Sequence, residues 1–184
     1  ELPPAPDRDL SRAVQVLALH MLADNTTALT PRVAERAMAE LGPDGEGALR
    51  QLIDRGVVQG SEAVEFFHQT FFEHAAARAL LSEMRRPAAE GLAALVAELS
   101  RRPADLFLLP VLEQALLLAE SAHKVRKAAD AVLIQLFEDP DPIVRSSAVY
   151  IYILRVEVDA QLDAVARTNF TSPTAAVGLD GANP

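Results

Sequence analysis

Phosphate-binding loops in proteins are glycine-rich, end in Lys-Ser or Lys-Thr and follow a strand. The only lysines of this chain are Lys124 and Lys127, and both fall within one stretch of helical periodicity. The glycine-rich run 42–47 contains two acidic residues, which would repel phosphate, so we interpret it as a turn. The sequence therefore offers no loop of its own for a nucleotide.

The four histidines, His20, His68, His74 and His123, do not form a metal-binding spacing such as His-Glu-x-x-His. His20 lies near the end of an apolar helix, where packing or a surface position is the ordinary role. Acid pairs such as 139/141 are explained by turns and helix ends, and no nucleophile is arranged with a base. We therefore predict that the chain is not an enzyme, with no catalytic residue, metal site or cofactor of its own.

Composition indicates a soluble, mostly helical chain. Half of the 184 residues are hydrophobic and only 5% are aromatic, and Ala and Leu, which favour helices, dominate the apolar content. The absence of cysteine excludes disulfides and thiolate metal sites. No apolar run reaches the ~20 residues of a membrane span. Nothing at the start resembles a signal peptide, so we expect a cytoplasmic location without membrane contact.

The net charge bears on nucleic-acid binding, and the first residues bear on whether the chain belongs to a longer protein. A net charge of −9 argues against a nucleic-acid partner. The start, Glu1 to Pro6, is Pro-rich and lacks an initiating Met, so we expect part of a longer protein.

Apolar periodicity predicts three helices in the first third of the chain. The first is capped by Asp7 or Asp9, the second begins at Thr30-Pro31 with a cap and an N1 proline, and the third runs from Gly45 to Arg55. A hairpin follows, with Val57 and Val58 in one arm, a turn at 59–62 and residues 64–67 in the other. Three short helices and a hairpin form a winged-helix topology, in which the third helix reads DNA in nucleic-acid-binding relatives.

The hairpin leads directly into a fourth helix. Strand alternation places Val64, Phe66 and His68 on one face of the returning arm. Thr70 and Glu73 have the spacing of a capping box, which predicts that the helix starts at Thr70. Its apolar face is predicted to contain Phe72, Ala75, Ala76, Ala79 and Leu80.

The run FFHQTFFEHAAARALL (66–81) resembles the pattern Phe-x-His-x-Thr-Phe-x-Glu-aromatic-x-Ala-Ala. This pattern closes the winged-helix domain of NACHT-type STAND signal-transduction ATPases. The matching residues are Phe66, His68, Thr70, Phe71, Glu73, Ala76 and Ala77, whereas His74 departs from the usual aromatic residue. The resemblance is close over this run and loose over the preceding helices. It implies that His68 contacts the phosphates of ADP bound by the parent's NTPase domain.

The rest of the chain has helical periodicity throughout. Helices are predicted at 88–100, 106–120 and 123–138, and Pro110 is expected either to kink the second or to mark its start. The run 133–156, with its Asp-Pro-Asp-Pro turn followed by Val144, Arg145 and Ala148, resembles a HEAT repeat. Only one good copy is visible, so an ordinary helical hairpin is the alternative. Residues 159–169 add a short helix.

These patterns predict a mainly α fold, in which a winged-helix domain with one β-hairpin precedes an α-helical HEAT-like array. The predicted domains are a winged helix at 7–69, connecting helices at 70–104, HEAT-like repeats at 105–170 and a loose tail at 171–184.

Three functions compete. The first is a non-catalytic regulatory fragment of a NACHT-type STAND ATPase. By resemblance, it couples ATP or ADP in the parent's NTPase domain to helical repeats that bind a protein ligand or other subunits. The second is a winged-helix transcription regulator. Its third helix is neutral, however, and residues 1–69 carry a net charge of −5, which phosphate would repel. The third is a plain helical scaffold, which leaves the run at 66–81 unexplained.

Overall fold

The computed structural model describes residues 7–42, 45–60, 62–82, 87–101, 107–119, 123–154 and 160–171. These residues form nine helices and one small antiparallel sheet of three strands, so the prediction of a mainly helical chain is confirmed. Contacts divide the chain into two compact units, Glu1–Pro87 and Ala88–Pro184. The sequence had separated residues 7–69 from connecting helices at 70–104, whereas the contacts place the fourth helix within the first unit.

The elements of the first unit alternate short helices with very short strands. In chain order they are α1 (Asp7–Ala23), β1 (Ala28–Leu29), α2 (Pro31–Ala39), α3 (Gly45–Asp54), β2 (Val58–Gly60), β3 (Val64–Phe66) and α4 (Gln69–Leu81).

The ends of these helices follow local chemistry. Helix α1 is followed by Asn25 in the left-handed region, at φ 51°. Thr30 is the N-cap residue of α2 and Pro31 is its first residue, as predicted, although the Thr30 side chain makes no capping hydrogen bond. After α3, Gly56 has φ 67°, a left-handed conformation that glycine adopts without strain because it has no Cβ. Helix α3 ends at Asp54, two residues before this glycine and one residue before the predicted end at Arg55.

The sheet has the strand order β1-β3-β2 and is antiparallel throughout. Strand β1 is not visible in the sequence, since two residues are too short to display an alternating pattern. The predicted turn at 59–62 is wrong in part, because Gln59 and Gly60 belong to β2 and pair with Glu65 and Val64. Backbone pairing across to β3 extends the strand into residues whose types are typical of turns.

The core of the first unit forms around α1, which contacts α2, α3 and α4. Side chains that are almost completely buried there are Leu17, Met21, Met38, Leu52 and Phe72. The sheet contributes Leu29, Val58 and Val64 to the buried set. The apolar side chains of these helices are therefore largely buried, and Ile53 of α3 is an exception at 36% exposure.

The second unit is helical throughout its described residues. Its helices are α5 (Ala88–Arg101), α6 (Leu108–Ala119), α7 (His123–Phe137), α8 (Pro142–Leu154) and α9 (Ala160–Thr171). Pro110 lies in the first turn of α6 and so marks its start, where its missing N–H breaks no hydrogen bond. Helix α6 contacts α5, α7 and α8, as expected of a helix that is apolar nearly all round. The loose tail was predicted at 171–184; Thr171 is instead the last residue of α9, and residues 172–184 lie outside the described residues.

Candidate functional site

His68 lies between the sheet and α4, as the N-cap residue of that helix. Its backbone is extended, at φ −129° and ψ 135°, and its carbonyl accepts hydrogen bonds from the amides of Phe71 at 3.0 Å and Phe72 at 3.3 Å. The imidazole is exposed, and it packs nearly perpendicular to the ring of Phe67, with the ring centres 4.6 Å apart. The backbone of His68 is thus fixed while its ring remains open to solvent.

Two sequence predictions about this junction are wrong. Helix α4 begins at Gln69 rather than at Thr70, and no side chain caps it, so the capping box of Thr70 and Glu73 does not form. His68 does not share the buried face of Val64 and Phe66, because β3 ends at Phe66. Both differences have the same cause: the N-cap residue is His68, so the chain enters the helix two residues earlier than a cap at Thr70 implies.

The aromatic residues around the junction explain why it is held in place. Phe66 is buried, and its ring centre lies 5.8 Å from that of Phe71 and 6.0 Å from that of Phe72. The amide of Phe67 donates to the carbonyl of Val57 at 3.2 Å, which ties the end of β3 to the residue before β2. An exposed imidazole on this support, at a helix N-terminus, has the position from which a ring N–H can bind an anion.

The remaining histidines are placed differently from His68. His20 forms a hydrogen bond of 2.6 Å from its Nε2 to a carboxylate oxygen of Glu40, an interaction the sequence did not reveal. His74 is half-buried on α4. The side chain of His123 lies outside the described residues. Within the described part of the chain, no cluster of His, Cys, Asp or Glu has the geometry to hold a metal ion.

The turn between α7 and α8 is held by a network of hydrogen bonds. The Asp139 carboxylate accepts the amide of Asp141 at 2.8 Å, and the Asp141 carboxylate accepts the amide of Ile143 at 2.7 Å. The guanidinium of Arg145 donates to the carbonyls of Asp139 at 2.7 Å and Pro140 at 2.8 Å. Asp141 thus caps α8, Pro142 is the first residue of that helix, and Arg145 closes the turn through its two carbonyl contacts.

Helices α8 and α9 are joined by a polar contact that the sequence did not reveal. The Tyr152 hydroxyl donates to Asp163 at 2.6 Å, and the Arg167 Nε donates to the other oxygen of that carboxylate at 2.7 Å. The hydrogen bonds from Arg167 and then Tyr152 lower the pKa of Asp163 below its ordinary value. The hydrogen bond to Asp163, together with burial, raises the pKa of Tyr152.

A groove in the first unit, between α1, α3 and α4, was also missed. It has a volume of about 310 Å³, and its lining includes His74 and two arginines. The spacing of Phe71, Ala75 and Arg78 indicates one wall of the groove, since these residues share one face of α4. Which helix lies opposite that face is a matter of tertiary packing, which periodicity does not specify.

Comparison of the chain with protein-family models, with curated proteins and with solved structures found no match. Among the described residues, no helix has the length and apolarity required to cross a membrane.

Proposed function

We propose that this chain is a non-catalytic regulatory part of a NACHT-type STAND ATPase. In this proposal it couples the nucleotide state of the parent's NTPase domain to helical repeats that bind a protein ligand or other subunits. ATP or ADP is bound by the NTPase domain and not by this chain. The proposed location is the cytoplasm, without nucleic-acid or membrane partners.

The position of His68 is the observation that carries the proposal. The resemblance assigns this histidine to the phosphates of ADP, a role that requires an accessible imidazole on a rigid support. His68 meets both conditions, since its ring is exposed and its carbonyl is hydrogen-bonded to the first turn of α4. The first turn also has no side-chain cap, so its amide dipoles add to the attraction for an anion.

The order of elements in the first unit supports a winged-helix interpretation. Three helices, with a short strand after the first, precede a hairpin whose return strand β3 lies in the middle of the sheet. In the second unit, the capped turn between α7 and α8 supports the HEAT-like interpretation. Arg145 holds two carbonyls of that turn, which gives a physical reason for the Asp-Pro and Val-Arg pattern.

Two other functions, a transcription regulator and a plain helical scaffold, explain fewer features of the sequence and the fold. A transcription regulator would need α3 to approach DNA, yet the basic Arg50 and Arg55 are offset by Asp54 and Glu46 in the same segment. A plain helical scaffold accounts for α5 to α9 and gives no reason for an exposed histidine at the end of the sheet.

The test is the substitution His68→Ala, made both in the isolated chain and in the full-length parent. Because the ring is exposed, the isolated chain should change in stability by no more than about 0.5 kcal/mol. In the parent, the same substitution should speed the release of bound ADP and raise basal activation. His74→Ala, on the same helix, is the matched control and should leave ADP release unchanged. Unchanged ADP release in His68→Ala, or an equal effect of the control, would disprove the role of His68.

A further inference from the structure

An open apolar groove lies on the first unit, between faces of α1, α3 and α4. Its apolar lining consists of Leu10 and Val14 on α1, Leu52 and Val57 at and after the end of α3, and Phe71 and Ala75 on α4. Leu10, Leu52 and Ala75 are buried and form the floor, whereas Phe71 is 45% exposed and forms a lip. The groove therefore combines a well-packed base with an aromatic edge that is not covered.

The dimensions of the groove suit a helix better than a small molecule. Phe71, Ala75 and Arg78 line it at positions i, i+4 and i+7 of α4, which corresponds to two turns or about 10 Å along the axis. Leu10 and Val14 line the other side, one turn apart. The volume of about 310 Å³ is at the lower limit for a small-molecule pocket. A helix that inserts one or two apolar side chains would fill this space and cover the lip.

The charge of the lining is opposite to that of the unit around it. Residues 1–87 contain nine Arg and thirteen Asp or Glu, a net charge of −4. Among the residues that the structure describes, the groove lining in contrast contains two cationic side chains, Arg55 and Arg78, and no acidic one. Arg55 already takes part in another contact. Arg78, which is exposed on α4, is therefore the better position at which to test a charge interaction with a ligand.

We propose that this groove binds an acidic amphipathic helix from a partner protein or domain. Apolar side chains of that helix lie against Leu52 and Ala75 and cover Phe71, while its carboxylates pair with Arg78 and, at the opposite rim, with Arg55. This binding surface goes beyond the proposed function and depends neither on His68 nor on a nucleotide.

Two fluorescently labelled peptides test the proposal by anisotropy with the intact chain. Each has about 14 residues, because shorter isolated helices are marginal in water. Both have leucines at positions i, i+4 and i+7, and they differ only in whether the flanking residues are Glu or Lys. We expect saturable binding of the Glu peptide and none of the Lys peptide.

Charge reversal then locates the contact. Arg78→Glu should weaken binding of the Glu peptide by about tenfold or more, and it should give the chain measurable affinity for the Lys peptide. Arg32→Glu, at an exposed position on α2, makes the same change of charge away from the groove and should have little effect. Equal weakening by the two substitutions would show a non-specific charge effect and overturn the proposal.

A second variant tests the apolar part of the groove without removing any core residue. Ser11 is exposed and lines the opening, so Ser11→Trp should fill the groove from the solvent side and reduce binding of the Glu peptide. Unchanged affinity in this variant would place the peptide elsewhere and overturn the proposal. Binding of decanoate, without binding of either peptide, would assign the groove to a small amphiphilic carboxylate and would likewise overturn it.

Discussion

The two phenylalanines that begin α4 differ sharply in environment although they are adjacent in sequence. Phe72 is 2% exposed and packs against Phe66, whereas Phe71 is 45% exposed at the lip of the groove. Successive residues on a helix are separated by about 100° of rotation. That rotation is enough to direct one ring into the core and the next toward solvent.

Truncation of these two rings should therefore have very different costs. Phe72→Ala removes a buried ring and should destabilise the first unit by about 3–5 kcal/mol. Phe71→Ala, the matched control, should cost about 1 kcal/mol or less because its ring is partly solvated already. Chemical denaturation of the two variants and of the unsubstituted chain measures the difference. Similar losses for both variants would show that the helical phase described above is wrong.

Two glycines of α3 provide a second test at the scale of single residues. A Cβ added at Gly45 would collide with the backbone carbonyl of Met38, whereas one added at Gly47 meets nothing within 4 Å. Gly45→Ala should therefore destabilise the unit, because backbone atoms of α2 and α3 must separate. Gly47→Ala should instead stabilise it by about 0.4–1 kcal/mol, since alanine lowers the entropy of the unfolded chain. We expect the denaturation midpoint to fall in Gly45→Ala and to rise in Gly47→Ala, relative to the unsubstituted chain. A higher midpoint for Gly45→Ala would contradict the close contact with Met38.

At the scale of elements, the sequence predicted the helices well and the sheet poorly. Helices such as α2 carry several signals at once, namely Thr30-Pro31 at the start and buried Ala34, Ala37 and Met38 at helical spacing. Strand β1 has two residues and exists only because Ala28 and Leu29 pair with β3. Non-local hydrogen bonds of this kind leave no periodic trace in a short segment.

The candidate site, too, could be predicted from the sequence only where local residue patterns determine it. The sequence identified His68 and its place between the sheet and a helix, because the residue types there form a recognisable run. It misplaced the start of α4, and it assigned His68 to the strand face of Val64 and Phe66, whereas the strand ends at Phe66. The groove depends on the mutual packing of α1, α3 and α4, and no single segment encodes that arrangement.

The contact between α8 and α9 predicts how the stability of the second unit depends on pH. The pKa of Asp163 is lowered in the fold, so its stabilising contribution is present above its ordinary value of 3.8 and is lost as the pH falls through the lowered value. The pKa of Tyr152 is raised, so its contribution is present below 10.0 and is lost as the pH rises through the raised value. We expect Tyr152→Phe to lower the Tm near neutral pH.

The difference in Tm between the unsubstituted chain and Tyr152→Phe should shrink at pH 3 and again above pH 10. These limits follow from the ordinary pKa values of Asp163 (3.8) and Tyr152 (10.0). Tyr150→Phe is the matched control on the same helix. Tyr150 is 54% exposed, and its loss of a hydroxyl should leave the Tm unchanged at every pH. A difference for Tyr152→Phe that stays constant from pH 3 to neutrality would show that Asp163 does not act through this hydroxyl.

At the scale of the whole molecule, contacts cluster within residues 1–87 and within residues 88–184. Each unit has its own set of buried side chains, with Phe72 and Leu17 in the first and Leu133 and Phe137 in the second. Units with separate cores unfold separately when few contacts couple them. Calorimetry of the intact chain should therefore resolve two transitions rather than one.

Core substitutions in each unit assign the two transitions. Phe72→Ala should lower the midpoint of one transition by many degrees and leave the other in place, because the lost contacts belong to the first unit. Leu133→Ala, at a completely buried position of α7, should do the reverse. If each substitution shifted both transitions, or if a single transition responded equally to both, the two cores would be thermodynamically coupled. The chain would then unfold as one cooperative body, and ligand binding at the groove would stabilise the helices of the second unit as strongly as those of the first.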